Sequence, residues 1–182
     1  MPSHSDHVAR IRAMGRDDLH ALLARVRAGR TPGWPAGRAF EYLVLRAFEL
    51  DGATVRWPFT VSMADETVEQ IDGAVYAANL SCIVETKDTV APIDIIALAK
   101  MRTQLARRPA ATVGLVISKS GFTNAATTLA GYFAPQTVLL IAGDELDEAM
   151  ATGGMVAMLM AKYRECVEEG GTQTLKGSRR LR

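Results

Sequence analysis

Residues 70–88 read QIDGAVYAANLSCIVETKD, an apolar, strand-like pattern interrupted by Asp72 near its start and by Glu85, Lys87 and Asp88 at its end. Val68 to Tyr76 is alternating and rich in β-branched residues, and after Asn79 the run Leu80 to Val84 is apolar, which predicts two strands forming a hairpin. Asp72 and Glu85 then project into one small region, and Lys87 shares the face of Glu85 because strand side chains repeat every two residues. A core strand rarely accepts such charges without a use.

Two neighbouring carboxylates repel one another and persist most readily with a divalent cation between them; oxygen donors suit Mg²⁺, with Mn²⁺ as an alternative. Such a cation binds a phosphate oxygen and activates water, and Lys87 would orient that water or stabilise the charge developing at phosphorus. Hydrolysis of a phosphodiester is the reaction that fits Asp72, Glu85 and Lys87. E-x-K alone is a common pair on surface hairpins, so its setting within an apolar strand carries the reading.

Before this stretch, Asp6 to Ala28 has helical periodicity, broken near Gly15, and predicts a helical arm. Gly29-Arg-Thr-Pro-Gly-Trp-Pro is a turn-rich linker, and Ala39, Phe40, Leu43, Val44, Ala47, Phe48 and Leu50 mark the apolar face of a further helix stopped at Gly52. Thr54 to Phe59 predicts a strand. After the hairpin come a helix over Ile93 to Arg107, a buried strand over Thr112 to Ile117, a helix over Asn124 to Phe133 and a buried strand over Thr137 to Ile141. A last helical region opens at Gly143, breaks at Gly153-Gly154 and resumes from Met155 to Glu168.

The expected fold is therefore α/β, a mixed sheet flanked by helices, with an N-terminal helical arm and a C-terminal helix. The divisions are 1–32 for arm and linker, 33–152 for the core, 153–169 for the C-terminal helix and 170–182 for a basic, disordered tail.

With 48% hydrophobic residues in 182, the chain has enough apolar material for one cored domain. Its net charge of +1 neither excludes a nucleic-acid partner nor argues strongly for one, although basic residues cluster in the first forty positions, at Lys100, Arg102, Arg107 and Arg108, and in the tail. Cys82 and Cys166 lack paired spacing and read as buried small hydrophobes; His4, His7 and His20 read as surface residues. No stretch reaches the ~18 apolar residues of a membrane span and no apolar signal core opens the chain, so a cytoplasmic location is expected.

With these segments in hand, the sequence resembles the restriction-endonuclease-like PD-(D/E)xK nucleases, and among them the Mrr-type branch that acts in restriction of foreign or modified DNA. The resemblance spans Gly37 to Met150. Gly37-Arg-Ala-Phe-Glu41 is similar to the family's first core helix, Ile71-Asp72-Gly and Glu85-Thr-Lys87 to its active-site strands, and Val113-Gly-Leu-Val-Ile-Ser-Lys-Ser-Gly-Phe-Thr-Asn-Ala-Ala to its strand-to-helix segment. Ile71 stands for the proline of the family's name, and Glu85 stands where many Mrr-type members carry glutamine. The resemblance implies a DNA endonuclease with Glu41 joining Asp72 and Glu85 at a metal, and places Gln104 near the site.

The turn Ser118-Lys-Ser-Gly-Phe-Thr has its own reading, since Ser118, Lys119, Ser120 and Thr123 at a helix N-terminus suit a DNA phosphate, while Ser120 or Thr123 could equally cap that helix. Cutting both strands of a duplex suggests a homodimer, with sequence choice supplied by a separate specificity or defence-complex subunit. Two alternatives stand beside the Mrr-like endonuclease: a junction-resolvase-like, structure-selective nuclease, and a non-catalytic DNA-binding or scaffolding subunit that retains the fold.

Overall fold

The computed structural model describes residues 3–169. Seven helices and seven strands follow in the order α1 (His4–Arg12), α2 (Arg16–Arg27), α3 (Arg38–Leu50), β1 (Thr54–Arg56), β2 (Phe59–Met63), β3 (Glu66–Ile71), β4 (Gly73–Ala77), β5 (Leu80–Lys87), α4 (Ile95–Leu105), β6 (Thr112–Ser118), α5 (Asn124–Ala130), β7 (Thr137–Ile141), α6 (Gly143–Thr152) and α7 (Met155–Glu168). Five strands form one mixed sheet in the order β1-β4-β5-β6-β7, antiparallel up to β5 and parallel from β5 to β7. This is the α/β architecture expected. The tail at 170–182 lies outside the described residues.

Alternation along the parallel strands fixes which layer each side chain joins. Leu115, Ile117, Leu139 and Ile141 face one core with α3, whereas Val116, Val138 and Leu140 face another with Leu98, Met101 and Leu105 of α4 and Ala126 of α5. Helices thus cover both faces of the sheet, as parallel strands require.

α3 is buried almost all round, Tyr42 and Leu45 as completely as the Phe40 and Phe48 of its expected apolar face. A helix with two apolar faces needs a second cover. Ile11 of α1 and Leu19, Leu22, Leu23 and Val26 of α2 supply it, and Met155 and Leu159 of α7 enter the same core. His7, expected at the surface, is instead 5% exposed and stacks on Trp34 with ring centroids 4.9 Å apart, because α1 lies across the linker tryptophan. His4 and His20 are exposed, Cys82 is buried, and Cys166 is half-buried.

Two expected strands are each divided. Thr54 to Phe59 yields only β1 before Trp57-Pro58, since proline cannot donate to a ladder, and β2 then starts a separate two-stranded sheet with β3. Val68 to Tyr76 breaks at Asp72 into β3 and β4. Both hairpins close on two left-handed residues, Ala64-Asp65 at φ 48° and 64° and Ala78-Asn79 at 48° and 65°, the twist that suits tight hairpins.

One side chain ties the N-terminal helices to the far end of the sheet. Arg27 of α2 donates to the carbonyls of Lys119 and Gly143, at 2.5 and 2.8 Å, and pairs with Asp147 at 2.8 Å. Gly143 has no room for a methyl group, which would overlap the Lys119 carbonyl oxygen and stand 2.7 Å from the Arg27 guanidinium. Gly143→Ala is expected to cost about 1–3 kcal/mol through forced backbone displacement. Urea unfolding checks it, and a midpoint equal to wild type would contradict this packing.

Candidate active site

β5 is the central strand, and its C-terminal end outruns its antiparallel neighbour. Gly73 pairs with Val84, so Glu85, Thr86 and Lys87 extend past the start of β4 while still pairing with β6 on the other side. The Thr86 N–H consequently has no backbone partner across from it, and Asp72, at the break between β3 and β4, takes its place. Asp72 Oδ2 accepts the Thr86 N–H at 2.7 Å and the Thr86 hydroxyl at 3.0 Å. Gly73 is what lets this bend sit against α3, because a Cβ there would stand 2.6 Å from a Leu45 methyl and 3.0 Å from the Arg56 carbonyl oxygen.

The Glu85 carboxylate is 1% exposed and carries two ammonium groups. Lys87 Nζ donates to its Oε1 at 2.5 Å, and Lys100 Nζ donates to Oε1 and Oε2 at 2.8 and 2.7 Å. Glu41 on the first turn of α3 is also buried, and Arg38 donates to both its oxygens at 2.6 and 2.8 Å. Glu41, Asp72, Glu85, Lys87, Arg38 and Lys100 all line a cleft of about 710 Å³.

Burial first, and then the Asp72 charge, push the Glu41 carboxyl up to about 8 against the pull of Arg38. Asp72 is raised as well, by burial and then by Glu85, with the Thr86 N–H opposing. Between the ordinary value of 4.5 and about 8, folded Glu41 keeps a proton that the unfolded chain has released. Stability from this group is therefore complete below 4.5 and falls as pH rises to about 8. Its slope is up to about 1.4 kcal/mol per pH unit. Urea unfolding at pH 5 and pH 8 is expected to show a smaller loss in Glu41→Gln than in wild type; equal losses would remove Glu41 as the source.

Of the other residues singled out in the sequence, Ser118 is fully buried and its hydroxyl accepts the Ser120 N–H at 3.3 Å. Ser120 donates to the Ala91 carbonyl at 2.7 Å, Thr123 caps α5 by accepting the Ala126 N–H, and Lys119 pairs with Asp88. These side chains brace the turn. Gln104 is buried and donates to the Gln70 carbonyl at 3.4 Å, and it is not among the residues lining the cleft. Lys100 and Arg38 are the cleft cations that sequence reasoning missed. Lys100 had a signal, since it stands one turn from Ala97 and one from Gln104 on α4, both buried.

The all-oxygen donor set of Asp72, Glu85 and Glu41 fits a hard divalent cation, and Asp72 Oδ1 accepts no hydrogen bond among the described residues. Also among the described residues, no three His, Cys, Asp or Glu side chains form a ready cage, and ammonium and guanidinium groups pair with Glu85 and Glu41.

The restriction endonuclease family model Mrr_cat matches residues 36–150, which takes in α3, the whole sheet and every residue of this cleft named above. The chain belongs to the Mrr_cat restriction endonuclease family. No curated protein matches the chain. Among solved structures, the protein of unknown function AF1548 is 12% identical, with a TM-score of 0.48 over 72% of this chain and 94% of that one. The MspJI restriction endonuclease, solved in complex with a 27-mer oligonucleotide, is 18% identical, with a TM-score of 0.43 over 91% of this chain and 37% of its own. This Mrr_cat chain thus spans little more than a third of the length of MspJI. Among the described residues, no helix is long and apolar enough to cross a membrane.

Proposed function

We propose that the chain is a divalent-metal-dependent DNA endonuclease hydrolysing phosphodiester bonds in restriction or defence against foreign DNA. The observation that carries this reading is the meeting of Asp72 with Glu85 and Lys87 where β5 outruns β4, in a member of a restriction endonuclease family. Asp72, Glu85 and Glu41 would hold Mg²⁺ or Mn²⁺. When bound, that ion supplies Lewis-acid stabilisation of the phosphoryl oxygens and a water of lowered pKa.

The chain's own groups do the rest. Thr86 fixes Asp72 through two hydrogen bonds, so this acid meets its ligand without losing side-chain freedom at that moment. Lys87, anchored on Glu85, presents an ammonium beside the carboxylates, where it orients the attacking water and offsets negative charge gathering at phosphorus. Arg38 offsets part of the burial cost and Asp72 repulsion at Glu41, and the proton that Glu41 keeps up to about 8 relieves the rest.

One cleft per chain cuts one strand, so two copies acting together are proposed for a duplex, with sequence choice lying in a partner subunit. The test is incubation with supercoiled plasmid and with single-stranded DNA in Mg²⁺, Mn²⁺ or EDTA. Cutting confined to the metal arms is the expected result, and direct linear product would support paired copies. Cutting that persists in EDTA overturns the metal reading, and intact DNA in every arm overturns the endonuclease reading in favour of a binding role.

A further inference from the structure

Each acid of the cleft has a partner without Lys100: Arg38 serves Glu41, Thr86 serves Asp72, and Lys87 serves Glu85. Lys100 is a second cation on a carboxylate that already has one. It takes both oxygens, including Oε2, which Lys87 leaves alone. Its helix is fixed rather than adaptable, with an Asp94 N-cap and with Leu98 and Met101 fully buried on either side of the lysine. The Lys100 side chain is 46% exposed against 1% for Glu85, so its ammonium lies between the buried acid and the open cleft.

A buried carboxylate is costly without a counter-charge, and a flexible ammonium supplies one that can later be exchanged. We propose that Lys100 is a second functional lysine of this site, which holds the Glu85 carboxylate in the metal-free protein and, once Glu85 is shared with a divalent cation, donates to an oxygen of the bound DNA phosphate. This rests on the nuclease reading. Lys100 then competes with the metal in one state and assists DNA binding in the other, so its removal has opposite effects on the two ligands.

The test compares wild type, Lys100→Gln and Lys100→Arg as full chains. Mn²⁺ binding without DNA is followed by electron paramagnetic resonance, and a short duplex is titrated by fluorescence anisotropy with Ca²⁺ as the divalent cation. Lys100→Gln is expected to bind Mn²⁺ about 10-fold tighter and the duplex about 10-fold weaker, as one competing ammonium leaves Glu85 and one phosphate contact is lost from the duplex. Lys100→Arg keeps the charge and stays near wild type. Misfolding weakens both ligands together, so opposite shifts separate function from damage. Unchanged or weaker Mn²⁺ binding in Lys100→Gln, or unchanged duplex binding, overturns the proposal. If wild type binds Mn²⁺ and cuts DNA while Lys100→Gln matches its affinities, only the role of Lys100 falls; if wild type takes up no Mn²⁺, the metal-dependent reading falls and this proposal with it.

Discussion

Lys87→Ala is expected to lower plasmid cleavage by about 10²–10³-fold, the loss usual for one preorganised group facing a charged transition state. The fold should be unaffected, because Lys100 still holds both oxygens of Glu85 after Lys87 is gone. Retained cooperative melting beside lost cutting is the expected pair of results. A Lys87→Ala protein that cuts at the wild-type rate would remove Lys87 from the mechanism. Asp72→Asn is the matched control for the acid, since the amide oxygen can still accept the Thr86 N–H while the charge is lost; its cleavage should fall comparably.

The second large effect concerns the segment that the sequence presents as an arm. A chain beginning at Gly29 is expected not to fold cooperatively. It would lack Ile11, Leu19, Leu22, Leu23 and Val26, all buried in the core that contains α3. At about 1.5–3 kcal/mol for each large apolar side chain, the loss is about 8–15 kcal/mol. That equals the whole stability of an ordinary domain, about 5–15 kcal/mol. A sharp two-state melt from the shortened chain would show that residues 29–169 fold on their own.

That arm illustrates what periodicity conveys. The apolar stripe of Asp6 to Ala28 was readable, but a stripe does not say which surface it meets; only the second apolar side of α3, with Tyr42 and Leu45, settles that. The parallel strands and their helices were legible because their patterns are long and regular. The break at Asp72 was not, since apolar residues continue on both sides of it, from Ile71 to Ala74, Val75 and Tyr76, and the Ala64-Asp65 turn lacks the glycine or asparagine that usually marks one. In the cleft, the meeting of Asp72, Glu85 and Lys87 followed from strand register alone. Lys100 did not, because its position depends on how α4 lies on the sheet, and neither did the Lys119–Asp88 pair that occupies a lysine read as a phosphate contact.

The bond from Thr86 to Asp72 also bears on how relatives of this chain should be compared. Asp72 completes a ladder that would otherwise end on an unpaired amide, so a relative without catalytic activity would still be held to an acceptor at this position. An uncharged acceptor such as asparagine would meet that need, so it is the retained acid, and not merely an acceptor, that speaks for activity in another sequence. Glu85 is held by two lysines, at a burial cost that packing alone does not repay, so a relative with another residue there must also change what faces Lys87 and Lys100.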